Sequence, residues 1–446
     1  MRPRLADLSA CFEGVIPSII ATAAADGMPN VSYLSHVIRI GDEHVALSNQ
    51  FFAKTAANVR ANPKVTLILV DGLTGDQYLL DVSFVRSVDA GYVFEKIARQ
   101  LKATSAQLGM ADVMRLKSAD IFRVAAIEKV PAPINDPASS PDRQAVDLVV
   151  LSDTVSAIDR QVDPGGIIDS LLEGVRRIFG YEHALVLIRE DVSGTLTTMG
   201  SIGYARSGLG SEISDSEGLI GTAARSGEAI KVNDMSRLRR FGEAIALNSD
   251  AAENSTRAIA FPDLPTANSQ IAVPMVFRGA VLGVLFVESE ARLAFREEDE
   301  AALLILATQA ASALRASERE AAQTVPVPVP PLPATIAGRG VHVIHHRYDD
   351  SIFIDGTYIV KGIAGALLRL ILEWHLNEGR NVFTNREMRL AAGPRLPEIK
   401  DNLETRLLLL RRRLEEKGAA LRIVRVERGR LRLEAEGPIT LKVAGE

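Results

Sequence analysis

A single cysteine, Cys11, stands among the 446 residues. That excludes an internal disulfide and any metal site built from cysteines. Aromatic residues make up only 5% of the chain, with one tryptophan. No apolar run approaches the roughly eighteen residues that a membrane-crossing helix needs. The start of the chain is not a basic, apolar, small-residue leader. These absences point to a reducing cytoplasm and to no membrane partner. A nucleophile–base pair, a metal-ligand cluster, a phosphate-cradling glycine loop and kinase or cyclase motifs are missing too. No catalytic residue and no metal ligand is assigned.

What is present is ordinary globular composition, 47% hydrophobic and 24% charged, in a chain too long for one core. Two connectors punctuate it. Residues 130–141 are rich in proline and serine, and 325–333 alternate valine with proline, which favours a polyproline II spacer. Three domains follow: 1–130, 145–322 and 336–446. Charge is uneven, because the stretch from Gly338 onward is net +5 and the remainder net −10. An acidic body with a basic C-terminal module fits a polyanion partner for that module alone.

In the middle domain, Ser269–Met275 and Val281–Glu288 are short β-branched runs joined through Arg278-Gly279, a hairpin. Acids at 297–299 open a stretch free of glycine and proline to Glu320, one long helix. Upstream, Ile167 to Phe179 reads as a helix and Ala184 to Arg189 as a core strand. Glu217 to Glu228 reads as a short helix between glycines, and Ile230 to Asp234 as a strand and turn. This succession resembles a GAF domain, a small ligand-sensing fold, so a small-molecule ligand is expected. The fold does not name that ligand. With no cysteine here, thioether attachment of a bilin is excluded. Ser236 to Ser269 would form a lid over the pocket.

In the first domain, Ser18–Ala24 and Asn30–Ile40 read as strands joined through Asp26-Gly27. His44–Ser48, Lys64–Val70 and Gln77–Arg86 are further strands. Helices run over Lys54–Ala61, stopped before Pro63, and over Tyr92–Leu108; Ala119–Val124 closes the domain. The strand end Ala46–Gln50, the Lys54-Thr55 pair and Asn58–Pro63 resemble the pyridoxamine-phosphate-oxidase-like split β-barrel, which binds FMN at a dimer interface. A helix start carrying a lysine and a hydroxyl suits a phosphate. By the resemblance, Tyr33, Leu34 and Ser35 would flank the flavin ring. Ser48, Asn49, Lys54 and Thr55 would reach phosphate or ribityl oxygens. Two features depart from the family: Thr55 occupies the position commonly basic, and an arginine–lysine pair is missing. A deazaflavin, a haem near His36 or His44, and an empty barrel stand as alternatives to FMN.

In the third domain, Ser351–Val360 is a hairpin on Asp355-Gly356. Helices follow over Gly365–Glu378, after Thr384 in a capping box with Glu387, and over Glu398–Lys417. Leu421–Val426 and Arg430–Glu434 form a last hairpin. This order resembles the winged-helix output domain of response regulators, whose third helix enters the major groove while the wing touches the backbone. The candidate duplex-DNA contacts are Lys400, Asn402, Thr405, Arg406, Arg412, Arg413, Arg428 and Arg430. Glu398, Asp401 and Glu404 oppose phosphate unless paired along the helix, as four-residue spacings of Asp401 with Thr405 and Asn402 with Arg406 permit. A protein partner is the alternative to DNA.

The expected whole is a multidomain chain of split β-barrel, α+β GAF domain and winged-helix α+β domain in series. It reads as a cytoplasmic, homodimeric sensory regulator with flavin, ligand and DNA sites, more a signalling protein than an enzyme. A flavin-dependent oxidoreductase of the same barrel superfamily, with accessory regulatory domains, is the competing class.

Overall fold

Residues 3–34, 36–49, 53–107, 116–130, 145–190, 194–235, 259–323, 340–392 and 399–444 are described by the computed structural model. Apart from Val130, both proline-rich connectors lie outside them, as does most of the expected lid, 236–258. Among the described residues no helix is long and apolar enough to cross a membrane. No group of three or more His, Cys, Asp or Glu among them could hold a metal.

In the first domain a 3-10 helix (Leu5–Phe12) precedes β1 (Ser18–Ala23), β2 (Pro29–Leu34), β3 (Val37–Ile40) and β4 (His44–Asn49). Then come α1 (Ala53–Ala61), β5 (Lys64–Val70), β6 (Gln77–Val88), α2 (Tyr92–Gln107) and β7 (Ser118–Val130). The seven strands form one sheet in the order β2-β1-β5-β6-β7-β4-β3, antiparallel throughout. The stretch expected as a single strand over 30–40 is two strands at opposite edges of that sheet. β7 outruns its expected end because residues 126–130 pair with β6 beyond a bulge, where Ala126-Ile127-Glu128-Lys129-Val130 does not alternate apolar with polar. Leu47, Leu67, Leu69, Leu80 and Phe122 form the core. Cys11 is buried there, and burial pushes its thiol up to about 12, which leaves it unreactive.

The second domain begins earlier than its helical pattern at 167. α3 (Leu148–Asp159) and α4 (Pro164–Phe179) lead into β8 (His183–Glu190), β9 (Thr195–Ile202), β10 (Glu212–Ser214), α5 (Gly218–Ser226) and β11 (Ile230–Val232). β12 (Ser269–Phe277), β13 (Ala280–Ser289) and α6 (Glu297–Gln323) complete it. Asp163 caps α4 by accepting from Gly165 N at 3.0 Å, with Pro164 pre-set in the first turn. Arg278 (φ 50°) and Gly279 (φ 83°) make the left-handed turn of the β12–β13 hairpin. The sheet runs β10-β9-β8-β13-β12-β11. α4 and α6 cover one face, and α5 packs against the other.

The third domain holds β14 (Val341–His346), β15 (Ser351–Ile354), β16 (Thr357–Val360), α7 (Gly362–Glu378), β17 (Val382–Thr384) and α8 (Asn385–Ala392). α9 (Ile399–Glu416), β18 (Leu421–Glu427), β19 (Arg430–Ala435) and β20 (Ile439–Ala444) end it. β14 and β20 were not expected. They pair in parallel and tie the two ends of the domain into one sheet, β16-β15-β14-β20. β17 joins the last hairpin in a second sheet. Thr384 and Glu387 exchange their bonds as a capping box should: Thr384 N donates to Glu387 at 2.9 Å, and Glu387 N donates to Thr384 at 3.2 Å.

Candidate functional site

Three places bring together the side chains the sequence singled out. The first is the start of α1. Thr55 is buried under β2, its hydroxyl 2.8 Å from that of Ser32 and accepting from Asn30 Nδ2 at 3.1 Å. Asn58, one turn on, donates to Thr22 Oγ1 at 3.1 Å. Two hydroxyls that bond each other use one of their two protons, so the pair keeps one O–H for a further acceptor. Lys54 is exposed beside them.

Strand alternation decides the rest of that site. Asn30 and Ser32 turn towards Thr55, so Val31 and Tyr33 take the opposite face of β2, 64% and 70% exposed. Within one chain, Tyr33 and Thr55 are therefore not brought together. Leu34 is in the core, and only its backbone could border a ring. Ser35 lies outside the described residues. Ser48 is buried and accepts from His36 N at 3.1 Å. Asn49 donates to Asp120 at 3.2 Å at the edge of a cavity of about 320 Å³ that Arg60, Lys117 and Asp89 also line. His36 lies at the junction with the second domain, its Nδ1 without a partner, and burial draws its imidazole down to about 4.

The second place is the sheet face under α5. Leu185, Leu187, Leu196, Val284 and Phe286 close against Leu219, Ile220 and Ala223. Into this apolar ground comes one acid that sequence reasoning passed over, Glu288. It accepts from Tyr204 Oη at 2.7 Å and Gln270 Nε2 at 2.8 Å, and burial pushes its carboxyl above the usual carboxylate range. The His183 ring meets the Tyr204 ring edge-on. An acid closing an otherwise apolar strand was the only trace of this cluster in the sequence.

The third is α9. Arg406 pairs with Glu190 of β8 at 2.6 Å. Arg412 reaches Asp169 of α4 at 2.6 Å and the Met199 carbonyl at 2.7 Å. That carbonyl lies where the β8–β9 register shifts, a bulge that frees it from the ladder. Thr405 N donates to Glu318 of α6 at 3.2 Å, and Arg389 of α8 pairs with the same carboxylate at 2.9 Å. Arg413 donates to the Ile359 carbonyl at 2.9 Å. Arg428 pairs with Glu320, and Arg430, itself buried, pairs with Glu427. Glu404 accepts from Asn385 and so is occupied within the domain. The side chains of Lys400 and Asn402 lie outside the described residues. The basic face of α9 thus meets the second domain.

Comparison with known proteins divides along the same lines. Residues 7–146 match the family described as pyridoxamine 5'-phosphate oxidase, and residues 161–315 match the GAF domain family. No curated protein matches the chain. Among solved structures, an FMN-binding protein from Syntrophomonas wolfei subsp. wolfei is 19% identical; the match covers 28% of this chain and 85% of that one, with a TM-score of 0.25. The GAF domain of an Acinetobacter phosphoenolpyruvate-protein phosphotransferase is 22% identical, covering 37% and 90%, with a TM-score of 0.31. A free methionine-R-sulfoxide reductase from Neisseria meningitidis is 21% identical, covering 40% and 96%, with a TM-score of 0.30. The chain carries a split-barrel domain of the pyridoxamine 5'-phosphate oxidase type and a GAF domain, followed by a mixed α/β module.

Proposed function

We propose that this chain is a cytoplasmic sensory regulator in which the barrel holds FMN, the GAF domain takes a small ligand, and the third domain is a winged-helix output that binds duplex DNA. The observation that carries this reading is the reach of α6. Its 27 residues extend about 40 Å. At its start Glu297 pairs with Arg39 of the barrel at 3.0 Å, and Glu300 pairs with Lys231 at 3.1 Å, which itself holds Glu13 of the barrel at 2.9 Å. At its far end Glu318 and Glu320 engage the third domain. One rigid element touching all three domains suits signalling better than catalysis. The order of sheet, helix, strand, two helices and hairpin in the third domain supports the winged-helix reading. Exposed Val31 and Tyr33 on an edge strand support a homodimer closing over that edge.

The donor set at α1 fits an anionic group. Lys54 supplies a charge, the Thr55–Ser32 pair an unspent O–H, and Asn30 an orienting amide. FMN would supply redox and light-absorbing chemistry there, and these residues would hold its phosphate. The purified chain is expected to show the absorption bands of an oxidised flavin and to release FMN on denaturation. Lys54→Glu should weaken loading roughly ten- to a hundredfold, the range set by one charge-assisted hydrogen bond of about 1.5–3 kcal/mol. A colourless protein that cannot be loaded would sink the flavin part. Rapid turnover of the reduced flavin by a substrate would instead favour the oxidoreductase.

A further inference from the structure

We infer that the GAF domain is itself a docking partner of α9 and holds the third domain closed, so that GAF and a polyanion compete for one basic face. The inference rests on the DNA reading for the identity of the competitor, but the closed contact stands on geometry alone. Arg406 and Arg412 would be free to meet phosphate if α9 faced solvent. Here each is satisfied by the GAF domain: Arg406 by Glu190, and Arg412 by Asp169 and the bulge carbonyl of Met199.

Shape complementarity agrees with charge. A Cβ added to Gly165 of α4 would lie 3.1 Å from the Leu408 Cδ1 atom, and one added to Gly200 of β9 would lie 3.0 Å from Arg412 Nη1. Neither glycine has a left-handed φ, so backbone conformation does not call for glycine there. Close approach does: the nearest atom is Ile168 Cγ2 at 2.5 Å for Gly200 and Asp163 Oδ1 at 3.0 Å for Gly165, both within the GAF domain, and α9 is the second neighbour at each. A single apolar cluster runs on from the GAF helices into Leu408, Leu409 and Leu410 without a polar break.

The contact is also placed where a GAF ligand could release it. β8 ends in Glu190, and the same strand sends Leu185 and Leu187 into the opposite face, under α5. A ligand that shifts β8 or β9 from that side moves Glu190 and the Met199 carbonyl with it. An affinity limited by the open fraction rises in proportion as that fraction grows.

The test uses the full chain with Cys11→Ser, so that only introduced thiols react, and adds Gly165→Cys with Leu408→Cys. Oxidation should form an intramolecular disulfide, since a Cβ built at position 165 lies 3.1 Å from the Leu408 Cδ1 atom in the closed form, within reach of a sulfur on each side. Binding to a labelled mixed-sequence DNA duplex at low ionic strength should be lost on oxidation and restored on reduction. Separately, Glu190→Gln, isosteric and remote from DNA in the open form, should raise duplex affinity about tenfold or more. Glu373→Gln, which removes a surface pair with Arg369, should leave it unchanged. Failure of the disulfide to form, or measurable DNA binding of equal strength by locked and unlocked protein, would overturn the closure. A disulfide that forms readily, and more slowly with Glu190→Gln, in a protein that never binds DNA would uphold the closure and retire the DNA reading.

Discussion

At the scale of single residues, the most consequential positions look the least informative in sequence. Gly365 sits in an Ala-Gly-Ala stretch of α7, where it reads as a weak spot in a helix. In the fold, a Cβ at this position would come within 1.8 Å of the Asp350 carbonyl oxygen. Gly365→Ala must therefore push α7 off the turn after β14, at a cost of about 1–3 kcal/mol or more. Gly279→Ala meets nothing within 4 Å and loses only the comfort of φ +83°, about 1–2 kcal/mol. Thermal or urea unfolding of the two variants should rank them in that order. A Gly365→Ala protein as stable as wild type would show that α7 and the turn are not in contact. Asp26-Gly27, Arg278-Gly279 and Asp355-Gly356, by contrast, were legible, because turn chemistry is a property of two adjacent residues.

At the scale of elements, α6 separates what periodicity can and cannot reveal. Leu303, Ala307, Ala310 and Leu314 form its buried stripe, all at or below 4% exposure. Ile305 lies off the stripe and is 51% exposed. Leu303→Ala should leave a cavity and cost about 2–5 kcal/mol. Ile305→Asp should change the stability of one chain by no more than about 0.5 kcal/mol. If α6 pairs with its counterpart in a second copy, the same substitution should weaken the homodimer in sedimentation. Dimers of equal strength for Ile305→Asp and wild type would remove α6 from that interface. The 3.6-residue period located the inward face because burial imposes it. It carried no sign that Glu318, one turn beyond Leu314 on the same row, is buried and turns towards the third domain.

At the scale of the whole molecule, acids buried between domains tie stability to pH. Glu318 lies among Arg389, Thr405 and Glu404, and burial pushes its carboxyl up to about 7 from an ordinary 4.5. The folded chain keeps this proton to about pH 7, whereas the unfolded chain releases it near pH 4.5. The folded state binds more protons across that window, so stability falls as pH rises through it and levels off above. The span is on the order of 3 kcal/mol. His36 acts with the opposite sign, since its folded value lies below the unfolded one. The contribution of Glu318 is therefore best isolated as a difference. Wild type should lose stability relative to Glu318→Gln between about pH 5 and about pH 7.5. A difference that stays flat with pH would mean that the carboxyl is not buried at the junction.

By itself, the sequence determined the local grammar of this protein: its strands, its turns, the caps of its helices, and two of its three domain families. These depend on residues close together along the chain, where periodicity and turn chemistry act. Tertiary structure decided what the charged side chains do. Arg406 and Arg412 read as solvent-facing on a basic helix, yet their partners, Glu190 and Asp169, lie more than two hundred residues away. It also decided that β14 and β20 close one sheet, and that Tyr33 and Thr55 take opposite faces of one strand. Pairing across such separations is set by how domains pack. No local pattern records it, because a cationic side chain is equally at home against water, phosphate or a carboxylate brought in from elsewhere in the fold.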